Sequence, residues 1–74
     1  MEEHATYTLR ATVSGWDLCL NGQRLTSFEA FSEAERAAIA GGEESRRQGK
    51  AVEIYVQARN GETNLILKAG HETH

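Results

Sequence analysis

The chain predicts an α+β domain of two layers, an antiparallel-rich sheet with one helix packed on one face, in the order βββαββ. Three observations predict it. Asn21-Gly22 and Asn60-Gly61 each stand between runs of alternating apolar and polar residues, the signature of tight hairpins. Between them, Ser32-Glu33-Ala34-Glu35 opens a segment of helix formers. Proline is absent, and glycines mark the boundaries between these segments.

The first strand is carried by Thr6 to Val13, with Tyr7, Leu9, Ala11 and Val13 on one side and Thr6, Thr8, Arg10 and Thr12 on the other. A two-residue turn at Ser14-Gly15 sets Val13 opposite Trp16, Ala11 opposite Leu18 and Leu9 opposite Leu20, so that apolar meets apolar and Trp16 reads as core. The same rule carried through Asn21-Gly22 sets Leu18 against Leu25 and turns Asp17, Cys19 and Arg24 outward. The result is a three-stranded meander.

Ser32 and Glu35 have the spacing of a capping box, and the helix they open should run to about Gln48. Arg46 and Arg47 suit its negative C-terminal end, and Gly49 suits a left-handed cap. Its inner face is small, consisting of Ala34, Ala38, Gly41 or Gly42, and Ser45, which lets the helix lie close on the sheet. Two adjacent glycines cost about 1 kcal/mol each relative to alanine; one continuous helix is expected, with a break at Gly41-Gly42 as the alternative. Ile39 falls off this stripe, and either covers the sheet margin beside Phe28 and Phe31 or adds to a second contact surface.

Across Asn60-Gly61 the inward pairs are Ala58 with Thr63, Val56 with Leu65, Ile54 with Leu67 and Val52 with Ala69. The outward pairs are Arg59 with Glu62, Gln57 with Asn64, Tyr55 with Ile66 and Glu53 with Lys68, two of them of opposite charge. Local pairing does not say where this last hairpin joins the sheet. It can add beside the first strand or elsewhere.

A chain of 74 residues has room for one domain with one small core, here a folded body over about 6–69 between acidic ends. Domains this small gain from association, so a protein partner or a homodimer is expected. The formal charge of -3 comes from Glu2, Glu3 and Glu72; residues 5–69 hold eight acids and eight bases. A neutral body is poor material for a general phosphate-backbone binder, which disfavours nucleic acid as the partner. The single cysteine, Cys19, rules out an intramolecular disulfide and fits a reducing compartment. No apolar run approaches the ~20 residues of a membrane span, and the Met1-Glu2-Glu3-His4 start lacks the basic residues of a signal peptide. The expectation is a soluble cytoplasmic protein with no membrane partner.

Gly15-Trp16 opening a strand, the Phe31-Ser32-Glu33-Ala34 helix start, and Val52-Glu53-Ile54 followed by Asn60-Gly61-Glu62 form a pattern over residues 6–67. It resembles a group of small bacterial and phage domains of unknown function. The chain departs from that group in the helix, where Gly41-Gly42 and Ser45 stand in places more often held by alanine or a larger apolar residue. The resemblance implies a fold and no established activity.

Candidate chemistry is sparse. His4, His71 and His74 lie in terminal segments, where no scaffold would hold three or four metal ligands. Cys19 would have Arg10 and Arg24 as outward neighbours, and two cations beside a thiol favour the reactive thiolate; a half-exposed strand residue is the simpler reading. Asp17 lies opposite Thr12 with no second carboxylate on its side of the hairpin, so paired-carboxylate catalysis has no footing. No glycine-rich phosphate loop occurs, and no cofactor is expected. Arg46, Arg47 and Lys50 serve the helix end and double as a candidate anion contact.

What remains is the outward face of the sheet. Thr8, Arg10, Thr12, Cys19, Tyr55, Gln57 and Ile66 mix methyls, an aromatic ring and compensated charges, which suits an interface. The expected function is a small non-enzymatic module that binds a protein partner or itself through this face, in the manner of phage-encoded or mobile-element proteins. The alternative is a nucleic-acid-binding domain that uses the same face, with Arg46, Arg47 and Lys50 on phosphates.

Overall fold

The computed structural model describes residues 3–69. The elements are β1 (His4–Ala11), β2 (Trp16–Leu20), β3 (Gln23–Phe28), α1 (Phe31–Arg47), β4 (Ala51–Gln57) and β5 (Thr63–Ala69), the βββαββ order expected. They form a five-stranded sheet in the order β3-β2-β1-β4-β5. The sheet is mixed. Three neighbouring pairs are antiparallel, while β1 and β4 run parallel. Parallel strands need a long crossover, and α1 supplies it by carrying the chain from β3 back over the sheet to β4. The last hairpin therefore joins beside β1.

The first turn is longer than the expected Ser14-Gly15 pair. Leu9 faces Leu18 and Ala11 faces Trp16, with the Thr12 N–H donating to the Gly15 carbonyl at 2.8 Å. Pairing is displaced by two residues, so every side chain keeps its expected face. Val13 is released from the core and is 89% exposed. A Cβ on Gly15 would collide with the Phe28 carbonyl, which is why the chain can pass there only as glycine.

The second turn forms at Asn21-Gly22 as expected, with φ of 53° and 88° at the two residues. A bulge then leaves Leu25 without a partner: Cys19 faces Arg24, but Leu18 faces Thr26 rather than Leu25. The extra residue re-phases β3 so that Phe28 arrives opposite Trp16. Leu25 is the casualty and stands 54% exposed.

The third hairpin departs in the same way. Ala58 donates to the Glu62 carbonyl at 2.8 Å and accepts from Gly61 N–H at 3.0 Å, closing a three-residue loop in place of two. Of the loop residues only Gly61 has positive φ, and the Asn60 side chain accepts from Glu62 N–H at 3.0 Å. Tyr55 consequently faces Leu65 and Val56 faces Asn64, one residue off the expected register. A bulge at Ile66 cancels the slip, so Ile54 with Leu67, Glu53 with Lys68 and Val52 with Ala69 pair as expected. Without that bulge Val52 would fall opposite Lys68.

The core lies between α1 and one face of the sheet. Leu9, Val52 and Ile54 are fully buried beneath Ala34 and Ala38, with Ala5, Tyr7 and Leu18 beside them. Trp16 and Phe31 close one end, their rings edge-on with centroids 4.8 Å apart. That contact moves the helix start. α1 begins at Phe31 with Ala30 as its N-cap, and no side chain caps it, so the expected Ser32–Glu35 box does not form. Docking Phe31 on Trp16 outweighs a cap worth about 1 kcal/mol. At the other end Lys50 N–H reaches the Ser45 carbonyl (3.1 Å) and Gly49 N–H the Arg46 carbonyl (2.9 Å), a Schellman closure with Gly49 at φ 89°.

α1 is continuous through Gly41-Gly42. A Cβ on Gly42 would lie 3.0 Å from Val52 Cγ1, and one on Gly41 would lie 3.1 Å from Tyr7 Oη. The glycines thus let α1 sit directly on β1 and β4. One turn later the buried Ser45 hydroxyl meets Tyr7 Oη at 3.0 Å, the polar contact of an otherwise apolar interface.

Candidate functional site

With α1 on one face, the other face of the sheet has no second layer among the described residues. Register places Arg24, Cys19, Thr8, Tyr55 and Leu65 in one row across all five strands. Ser27, Asp17, Arg10, Gln57 and Thr63 form the next row. Thr8, Tyr55 and Gln57 are half-buried, and Arg10 is exposed.

The second row is held by charge. The Asp17 carboxylate accepts from Ser27 Oγ at 2.7 Å and lies 3.8 Å from the Arg10 guanidinium. Asp17 therefore faces Arg10, not Thr12, because the first turn takes two more residues than expected. Thr12 belongs to that turn and lies outside the strand rows. Tyr55 Oη donates to Glu53 Oε1 at 3.1 Å. This hydrogen bond, followed by desolvation and by the carboxylate's charge, raises the Tyr55 phenol above its ordinary value of 10.0.

Cys19 requires a correction. It is 5% exposed, not half-exposed, and its neighbours in register are Thr8 and Arg24, not Arg10 and Arg24. A short side chain in mid-row, between Thr8 and the longer Arg24, lies below the surface of the row. It offers a partner little to touch. Ile66, expected beside Tyr55, stands in the β5 bulge at 41% exposure, and Leu65, at 47%, takes the place opposite Tyr55. Sequence reasoning missed Leu65 because two- and three-residue loops around Asn-Gly look alike until Gly61 alone takes positive φ.

The basic cluster does not converge on one point. Arg47 lies 3.5 Å from Glu44, and Lys50 lies 3.9 Å from Glu3. Arg46 instead lines a groove of about 220 Å³ between α1 and the β4–β5 side of the sheet, together with Ile39, Gly42, Glu43, Val52 and Leu67. Ile39 thus serves this margin and not the one near Phe28 and Phe31. His4 is exposed at the start of β1; His71 and His74 lie outside the described residues. Among the described residues no three His, Cys, Asp or Glu side chains gather as a metal site, and no helix is long and apolar enough to cross a membrane.

Comparison with protein-family models, with curated proteins and with solved structures finds no match to this chain.

Proposed function

We propose that this protein is a non-enzymatic interaction module that binds a protein partner through the uncovered face of its sheet. The observation that carries this reading is the row Thr8, Tyr55, Leu65, in which a threonine methyl, a tyrosine ring and a 47%-exposed leucine lie side by side on a face that no element among the described residues covers. Tyrosine supplies large contact area at low entropic cost and is enriched at the centres of protein interfaces. The flanking Arg10–Asp17 pair, partly exposed, suits a polar rim.

The test is capture of the tagged full chain from lysate of its source cell with and without nuclease, beside the variant Tyr55→Ala with Gln57→Ala. Both substituted residues lie on an interior strand and outside the helix-side core. A stoichiometric protein that survives nuclease and is lost from the variant is the expected result. Material that vanishes with nuclease would instead assign the face to nucleic acid. Equal capture by the variant would overturn the choice of face.

A further inference from the structure

Two of the chain's three asparagines, Asn21 and Asn60, precede glycine, and both are exposed in hairpin loops. Such a pair carries its own chemistry, because glycine has no Cβ to keep its amide nitrogen away from the preceding side chain. Mildly alkaline water removes the proton from that nitrogen, which then bonds to the asparagine Cγ. The Cγ–Nδ2 bond breaks, and Nδ2 takes up a proton and leaves as ammonia. Water opens the resulting five-membered imide at one carbonyl or the other, which yields an aspartyl or an isoaspartyl residue. One water is consumed, one ammonia is released, and nothing is oxidised or reduced. The third asparagine, Asn64, precedes Leu65, whose side chain hinders the same approach.

The fold treats the two Asn-Gly pairs differently. Asn21 is tied to β1 at both ends of its side-chain amide: Oδ1 accepts from Thr6 N–H at 3.0 Å, and Nδ2 donates to the His4 carbonyl at 3.4 Å. Its own N–H donates to the Thr6 carbonyl at 2.8 Å, so Asn21 continues the β1–β2 ladder one residue past the end of β2. Leu20 and Gln23 pair immediately on either side of Asn21-Gly22, which leaves the turn no slack. Bringing Cγ of Asn21 to the Gly22 nitrogen breaks both side-chain bonds to β1. At Asn60 the flanking pair is Gln57 with Thr63, and residues 58–62 lie between them. The bonds that must open there are Glu62 N–H to Asn60 Oδ1 (3.0 Å) and Gly61 N–H to the Ala58 carbonyl (3.0 Å). Both lie within the loop, and opening them disturbs no strand pair. Water at this exposed tip replaces them readily.

We infer that Asn60 is a site of spontaneous modification in the folded protein, converting to aspartyl and isoaspartyl forms by attack of the Gly61 nitrogen, while the hydrogen bonds to β1 protect Asn21. The product places a new carboxylate close to Glu62 at the hairpin tip. In its isoaspartyl form the chain runs through the former side chain, which adds an atom to the three-residue loop. The inference rests on the two loops and is independent of what the uncovered face binds.

The test is incubation of the full chain at mildly alkaline pH and room temperature, with peptide mass mapping that resolves positions 21, 60 and 64 and distinguishes isoaspartate from aspartate. Circular dichroism checks that the chain stays folded. Position 60 should convert at least about tenfold faster than position 21, since both bonds to β1 must open before Asn21 can react. In guanidinium chloride, where neither loop exists, the two rates should come within about twofold of each other. Asn60→Gln, whose longer side chain would have to close a six-membered ring, should leave position 60 unconverted over the same period. Equal rates in the folded chain, a faster position 21, a tenfold difference that persists in guanidinium chloride, or a position 60 that stays intact while the unfolded chain converts would each overturn the inference.

Discussion

Replacing Ser45 by alanine removes one oxygen atom from the interface between α1 and β1, and the consequence can be worked from its surroundings. Ser45 is 8% exposed and Tyr7 5%, and their hydroxyls meet at 3.0 Å. In the alanine variant the Tyr7 hydroxyl is stranded beside Gly41, at a depth where an unsatisfied polar group costs about 1–3 kcal/mol. We expect about 2 kcal/mol. Tyr7→Phe should cost only about 1 kcal/mol, because the remaining serine hydroxyl can turn to the carbonyl one helical turn back. The double variant should cost about 2 kcal/mol, leaving a coupling of about 1 kcal/mol between the two positions. For a domain this small 1 kcal/mol corresponds to about 4–8 °C, so Ser45→Ala should lower Tm by roughly 8–16 °C. Urea unfolding followed by Trp16 fluorescence reads the helix docking directly, since the single tryptophan touches Phe31 at the start of α1. Costs that add to within about 0.4 kcal/mol would refute the claim that this hydrogen bond ties helix to sheet.

Gly42→Val should destabilise by about 2–3 kcal/mol in urea unfolding, since even the first added carbon lies 3.0 Å from Val52 Cγ1 and overpacking costs about 1–3 kcal/mol; a stabilised variant would show that α1 is free to lift. In a Tyr7→Phe background Tyr55 is the remaining tyrosine, and its ultraviolet titration should fall above the ordinary value of 10.0 and return toward it with Glu53→Gln. Because the folded-state value is raised, the stability it contributes is fully present below the unfolded-state value and is lost as pH climbs through the folded one. Alkaline unfolding should therefore begin earlier once Glu53 is changed. Cys19, 5% exposed, should react with a thiol reagent at least about 100-fold more slowly in the native protein than in urea; prompt stoichiometric labelling would contradict its burial.

The relation between sequence and structure turns on parity. The long first turn displaced β1 against β2 by two residues, and a displacement of two leaves every side chain on its face, so Tyr7, Leu9 and Leu18 are buried as their alternation says. The bulges at Leu25 and Ile66 are different in kind. Each adds one residue for the benefit of distant partners, Phe28 with Trp16 in one case and Val52 with Ala69 in the other, and no local pattern announces it. The parallel β1–β4 contact was illegible for a related reason: its connection is a helix with no turn chemistry to fix which strand it returns beside. The small stripe Ala34, Ala38, Gly42 and Ser45 was plain in the spacing, whereas the bond from Ser45 to Tyr7 needed both elements in place.

The candidate face followed the same logic. Thr8, Arg10, Tyr55 and Gln57 were placed by alternation alone and lie side by side as β1 and β4 align. For Cys19 alternation gives the correct face and the wrong exposure, because it tells direction and says nothing of how deep a short side chain lies in its row. Thr12 and Ile66 were misplaced by a turn and a bulge. The groove at Ile39 and Arg46 had no sequence signal, since it arises where α1 stops short of covering the β5 side of the sheet.

The claim that the uncovered face engages a protein is tested most directly by photo-crosslinking in the source cell, with a benzophenone amino acid placed at Tyr55 in one chain and at Arg36 on the exposed side of α1 in another. The account predicts a discrete protein adduct from position 55, resistant to nuclease and larger than a dimer of the chain, and none from position 36. Adducts from position 36 alone, or a position 55 adduct that nuclease removes, would contradict it.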